Sequence, residues 1–101
     1  MKLEFLQIAS DEFEAAIAFY NQQREGLGLE FAAEVKHALG RVLQYPAAWT
    51  SLSLRTRRCR LNRFPFAQLY QSRNEGILVV AVQNLHQHPD SWKIRLKPEG
   101  L

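Results

Sequence analysis

The N-terminal part of the chain changes from an alternating pattern of apolar and polar positions to a helical one. Residues 2–8 alternate, which predicts a short strand. Ser10 or Asp11 then stands where a helix N-cap is expected, and Asp11 has capping-box spacing to Glu14. The apolar residues after this cap share one helix face: Phe13, Ala16, Ile17 and Tyr20. The pattern therefore predicts a first helix that begins at this cap and ends near residues 24–25.

A second helical stripe follows a glycine-rich break. Gly26 and Gly28 are able to adopt the left-handed backbone of a tight reversal, so the two helices should lie antiparallel. The apolar stripe of the second helix is formed by Phe31, Val35, Ala38, Leu39, Val42 and Leu43. Pro46 lacks a backbone N–H and disfavours a helical residue before it, so this helix should stop at Tyr45.

The second half of the chain has the pattern of strands. The strands are predicted over residues 55–62, 65–72 and 76–83. Turns are expected at residues 62–65 and 73–76, and residues 46–54 form a connection from the second helix. The run from Ile77 to Val82 has no polar break, which is typical of a central strand buried on both faces. Residues 85–101 are polar and should form a short terminal segment.

This order of elements predicts an α+β fold in a single domain over residues 1–101. An N-terminal strand and an antiparallel helical hairpin come first, and a three-stranded antiparallel meander follows. The hairpin has one apolar stripe on each helix, so both helices should pack on one face of the sheet. The other face is where arginine side chains are expected to project.

Composition excludes several classes of protein. With 47% hydrophobic and 23% charged residues the chain has the composition of an ordinary globular protein. Its one cysteine, Cys59, cannot form an intramolecular disulfide, which favours a cytoplasmic location. The acidic N-terminus is unlike a signal peptide, and the longest apolar run is too short to span a bilayer. No cofactor motif is present, and no Cys, Asp or Glu stands at a metal-ligand spacing from His86 and His88, so we expect neither cofactor nor metal.

The charge is divided unevenly along the chain. Residues 1–34 carry a net charge of −5 and residues 35–101 carry +8. The basic half contains a run without acids, residues 55–63, in which five of nine residues are arginine. Guanidinium groups bind phosphates and carboxylates, so the partner of this surface should be anionic. The alternative is an edge strand that carries charge only to prevent aggregation.

Alternation along this strand separates its side chains. Arg57 shares a side with Cys59, which should face the core, whereas Arg58 and Arg60 should point outward. Other candidate groups have ordinary roles to weigh against chemistry. Tyr70 has the position of a packing residue, the two histidines follow the last strand where a solvated turn is expected, and Trp92 is suited to anchoring the terminal segment to the core.

A set of short motifs covers nearly the whole chain in one order. They are Ala18-Phe19-Tyr20, Gly26-Leu27-Gly28-Leu29-Glu30-Phe31, Glu34-Val35, Tyr45-Pro46, Arg57-Arg58, Arg63-Phe64-Pro65-Phe66, Tyr70, Val79-Val80-Ala81-Val82, Pro89-Asp90-Ser91-Trp92 and Arg95. In this order and spacing the chain resembles the RelE/ParE superfamily of bacterial type II toxins. The hairpin and Arg-Phe-Pro-Phe motifs are most similar to the ParE and plasmid-stabilisation branch.

The resemblance implies a growth-inhibiting toxin that binds a cognate, acidic antitoxin in a hetero-oligomer. ParE-like members inhibit DNA gyrase by binding, whereas RelE-like members cut messenger RNA on the ribosome, so the target and the question of enzymatic activity stay open. A third possibility is an inactive toxin-fold module. The residues expected to bind antitoxin or target are Arg57, Arg58, Arg60, Arg63, Phe66, Trp92 and Arg95. If the protein is RelE-like, the catalytic residues are expected among Arg58, Arg60, Tyr70, His86 and Arg95.

Overall fold

Two helices lie against one face of a five-stranded mixed sheet in the computed structural model, which describes residues 2–101. The elements are β1 Lys2–Phe5, α1 Gln7–Gln23, α2 Leu27–Gln44, β2 Thr50–Ser51, β3 Arg57–Arg60, β4 Phe66–Arg73 and β5 Gly76–Asn84, followed by 3-10 turns at Lys93–Arg95 and Pro98–Gly100. The strand order is β1-β5-β4-β3-β2, with β1 parallel to β5 and the other pairs antiparallel. The predicted α+β class is confirmed.

The helical hairpin forms as its apolar stripes predict. Gly26 has a φ of 84°, the left-handed conformation that lets α2 begin directly after α1. Phe31 is fully buried, and its ring lies against Phe64 and Phe66 at centroid distances of 5.2 and 5.0 Å. These contacts join α2 to the turn before β4 and to the first residue of β4, so the helices cover what we call the helix face of the sheet.

The start of α1 was predicted too late. Leu6 still donates its backbone N–H to Val79 O at 2.9 Å, and α1 begins at the next residue. Asp11 and Glu14 therefore lie inside the helix rather than at its cap, and Asp11 accepts a hydrogen bond from Gln7 within α1. The pairing of β1 with β5 fixes this boundary, because the last bond to β5 decides where the chain turns.

The N-terminal strand depends on a close backbone approach. Gly76 pairs with Lys2, and a Cβ atom at Gly76 would lie 1.8 Å from Lys2 O. Only glycine therefore fits at the start of β5. The predicted central strand is confirmed, because β5 lies between β1 and β4 and its residues from Val79 to Gln83 are buried.

The second face of the sheet, where arginine side chains were expected to project, is in part covered by the C-terminal end of the chain. Residues 85–101, the C-terminal segment, lie across it and bury Trp92 to 1% exposure among Leu69 and Val80. We call this side the tail face. The predicted connection over residues 46–54 also contains a strand, β2, which pairs with the start of β3.

Within residues 2–101, neither helix combines the length and the apolar character that a membrane crossing needs.

Candidate functional site

The arginines of β3 are divided between the two faces of the sheet. Arg57 pairs with Tyr70 and Cys59 with Gln68; Tyr70 and Cys59 belong to the core under the helices. Arg58 pairs with Leu69 and Arg60 with Ala67, which belong to the cluster on the tail face. The predicted alternation is therefore confirmed: Arg58 and Arg60 point away from the helices. We call these two residues the outer arginines.

The outer arginines lack acidic partners. Neither makes an ion pair within the described residues. Arg60 is exposed, whereas Arg58 is half-buried and its Nε atom has no hydrogen-bond partner there. Because β2 pairs only with Arg57 and Arg58, the rest of β3 is an open edge. Two uncompensated cations beside an open edge are suited to an anionic partner.

Arg63 is instead tied to α2. Its guanidinium lies 2.9 Å from a Glu30 carboxylate oxygen, and Arg24 approaches the other oxygen at 3.1 Å. Hydrogen bonds from Arg63 and, to a smaller extent, from Arg24 hold the pKa of Glu30 below its usual value. Glu34 accepts bonds from the backbone N–H groups of Asn62 and Arg63, so this turn is fixed to the helix. Arg63 is already paired and is a weaker candidate for partner binding than the outer arginines.

Tyr70 lies in the interior on the helix face. It is 0% exposed, and its hydroxyl donates to Pro46 O at 2.5 Å. Burial raises its pKa to about 12. The hydrogen bond from this hydroxyl fastens the segment after α2 to the sheet. The hydroxyl lies on the opposite face from the outer arginines.

Arg95 joins the C-terminal segment to α1. Its guanidinium donates to both carboxylate oxygens of Glu12 at 2.7 and 2.6 Å and to Val80 O at 3.1 Å. Glu12 also accepts the backbone N–H of Val82 at 3.1 Å. Val80 is the extra residue of a β-bulge, since Tyr70 pairs with Val79 and Leu69 with Ala81. Glu12 and Arg95 therefore supply hydrogen-bond partners for backbone groups of β5 beyond the point where its pairing with β1 ends.

Two further predicted contacts are buried rather than presented to a partner. Phe66 is 8% exposed within the aromatic core, and Trp92 anchors the C-terminal segment. His86 and His88 are exposed in the loop after β5, where His88 Nδ1 accepts the backbone N–H of Asp90 at 3.1 Å. Across residues 2–101, no three acidic, histidine or cysteine side chains are grouped as a metal site would require.

Sequence reasoning missed one cationic group. Arg55 and Arg73 line the same cleft as Arg57, at the end of the sheet where α2 stops. Arg55 was visible within the arginine run, but its meeting with Arg73 depends on how three separate segments come together.

Comparison of the sequence with protein-family models and with curated proteins gave no match. Among solved structures, the chain is similar to one described as the chromosomal ParDE TA system from P. aeruginosa, with a TM-score of 0.74 and 17% sequence identity. The similarity covers 85% of this chain and 97% of that one. It establishes a ParE-like fold for this chain, with the helices and the sheet arranged as described above.

Proposed function

We propose that this protein is the toxin of a bacterial type II toxin–antitoxin pair. It acts in the cytoplasm by binding its target, in the manner of ParE-like proteins that inhibit DNA gyrase, and a cognate antitoxin neutralises it in a hetero-oligomer. The ParE-like fold supports the class of protein. The outer arginines support binding to an anionic partner.

One observation favours binding over chemistry: the residues expected for RNA cleavage do not converge. Arg58 and Arg60 lie on the tail face, whereas Tyr70 is buried on the helix face. Arg95 is engaged with Glu12 and Val80. Metal-independent cleavage of RNA needs an acid, a base and cations around one phosphate. A surface that only binds needs no such convergence.

The target is tested in two assays. Messenger RNA and growth are followed in cells that express the protein without an antitoxin, and the purified protein is added to supercoiling reactions of gyrase. Inhibited supercoiling by purified gyrase, with intact messenger RNA, is the expected result. Codon-phased cleavage of messenger RNA would instead assign the protein to the ribosome-dependent nucleases. Unimpaired growth at confirmed expression would leave an inactive binding module and contradict the proposal.

The antitoxin is expected to be an acidic segment that folds along the surface carrying the outer arginines. The test replaces Arg58 and Arg60 with Glu and measures the affinity for the antitoxin encoded beside this gene. Loss of two charged contacts should weaken the complex by about a hundredfold or more. The matched control replaces Lys36 and Lys97, two exposed lysines, with Glu and changes the net charge equally. Equal weakening by both double variants would show a general charge effect and contradict a defined site.

A further inference from the structure

A cleft lined by three arginines opens at one end of the sheet. It has a volume of about 440 Å³ and lies where α2 ends, β3 begins and β4 ends. Its lining residues are Pro46, Ala47, Leu54, Arg55, Arg57, Gln71, Ser72 and Arg73. This volume is within the usual range of small-molecule sites.

The lining of the cleft has an excess of positive charge. None of its lining residues is acidic. Arg55, Arg57 and Arg73 form no ion pair with any carboxylate in the part of the chain that the structure describes. Like charges that line one cavity repel each other, and a bound anion would reverse the sign of that interaction.

Two of the three guanidinium groups are held in place by neutral partners. Arg57 donates to Trp49 O at 2.7 Å, and Arg73 donates to Gln71 Oε1 at 2.6 Å. Gln71 is itself fixed, because its Nε2 donates to Thr56 Oγ1 at 3.0 Å. Side chains that are already ordered lose less entropy when they bind a ligand. The ordering of Arg57 and Arg73 therefore lowers the entropic cost of binding an anion in the cleft.

We propose that Arg55, Arg57 and Arg73 form a binding site for a phosphate group. Arginine forks match the oxygens of phosphate, and several of them around one cavity suit a multiply charged anion. Leu54, 94% exposed at the rim, adds an apolar surface beside the charge. The ligand is therefore expected to be an organic phosphate with an apolar or aromatic part, either a free nucleotide or a nucleotide within a single strand of nucleic acid.

An adjoining cleft limits the site on one side. Arg55 and Arg73 also line this second cleft, together with Glu4 and Glu75. Glu4 pairs with Lys2 at 3.2 Å, whereas Glu75 makes no ion pair within residues 2–101. Removing the charge of Glu75 should therefore strengthen binding of phosphate in the arginine cleft.

The site does not depend on the proposed toxin function, so it is tested by binding to the purified protein. Calorimetric titrations use pyrophosphate, adenosine monophosphate and a short single-stranded oligonucleotide at fixed ionic strength. The variants are Arg55→Gln and Arg73→Gln, both at exposed positions, and the control is Lys36→Gln at an exposed position on α2. Thermal unfolding of each variant verifies that it is folded. Arg57 is left unchanged because its guanidinium donates a hydrogen bond to Trp49 O, so that its replacement would also remove a structural contact.

Saturable binding that each cleft variant weakens about tenfold or more, while the control changes it by less than about twofold, supports the site. Glu75→Gln should then bind more tightly. Binding of pyrophosphate and the mononucleotide identifies a free phosphate ligand, whereas binding of the oligonucleotide alone identifies a backbone phosphate. Failure of all three probes to bind, or equal weakening by the control and the cleft variants, overturns the proposal.

Discussion

Replacing Arg95 with Met should destabilise the fold by about 3 kcal/mol, because it leaves the Glu12 carboxylate without its partner in a largely enclosed place. Arg95 makes three hydrogen bonds, two to Glu12 and one to Val80 O. The two side chains are 12% and 21% exposed, so some water reaches the pair. The effect therefore falls at the lower end of the range for breaking buried ion pairs.

The assay is reversible unfolding in urea, with thermal unfolding as a second measurement. For a domain of this size the change corresponds to a fall in the melting temperature of about 15 °C. The matched control is Arg60→Met, since Arg60 is exposed and has no ion pair within the described residues. This control should change the free energy of unfolding by less than about 0.5 kcal/mol.

A double-mutant cycle separates the ion pair from other effects of the substitution. Glu12→Gln keeps an oxygen for the backbone N–H of Val82 but removes the charge that Arg95 contacts. The coupling energy between the two substitutions should be about 1.5 kcal/mol or more. If Arg95→Met is no more destabilising than Arg60→Met, and the two substitutions in the cycle are additive, the C-terminal segment is not held by this pair.

Three further predictions concern Tyr70, Gly76 and Cys59. Tyr70→Phe should cost about 1 kcal/mol by removing the hydrogen bond to Pro46 O. Burial raises the pKa of Tyr70 to about 12, so the stability contributed by its neutral phenol is fully present below about pH 10 and is lost as the pH rises towards 12. Ultraviolet titration of the wild-type protein, compared with that of Tyr70→Phe, measures the pKa of this phenol. Ionisation of Tyr70 near pH 10 would contradict the prediction. Gly76→Ala should detach β1, seen as loss of hydrogen-exchange protection there, whereas the control Gly40→Ala, which has open space around its Cβ, should stabilise α2 by about 0.5–1 kcal/mol. Cys59 is fully buried and burial raises the pKa of its thiol, so it should react with a thiol reagent only upon unfolding; rapid reaction in the native protein would refute its placement.

Local patterns predicted the parts of the fold that depend on them. The apolar stripes gave both helices, the unbroken apolar run gave β5, and alternation along β3 gave the outward direction of Arg58 and Arg60. These features depend on periodicity alone, and periodicity is visible in a sequence.

The remaining features depend on contacts between distant segments. The cover over the tail face comes from a polar segment without periodic pattern, held by Trp92 and by Arg95. Glu12 is an acidic residue of the kind that often marks the start of a helix. In the structure it accepts the backbone N–H of Val82, and Arg95 donates to Val80 O at the bulge of β5, which no local pattern predicts. The arginine cleft likewise needs three segments to meet, so no short window of sequence contains it.

The pairing of β1 with β5 has a consequence for the order in which the chain assembles during translation. β1 leaves the ribosome well before β5, yet its register requires Lys2 to meet Gly76. The hairpin of α1 and α2 therefore emerges with its apolar stripe uncovered until β4 and β5 have been synthesised. The chain therefore has no closed core until β5 has been made, and apolar surface left exposed in this way is prone to association with other chains.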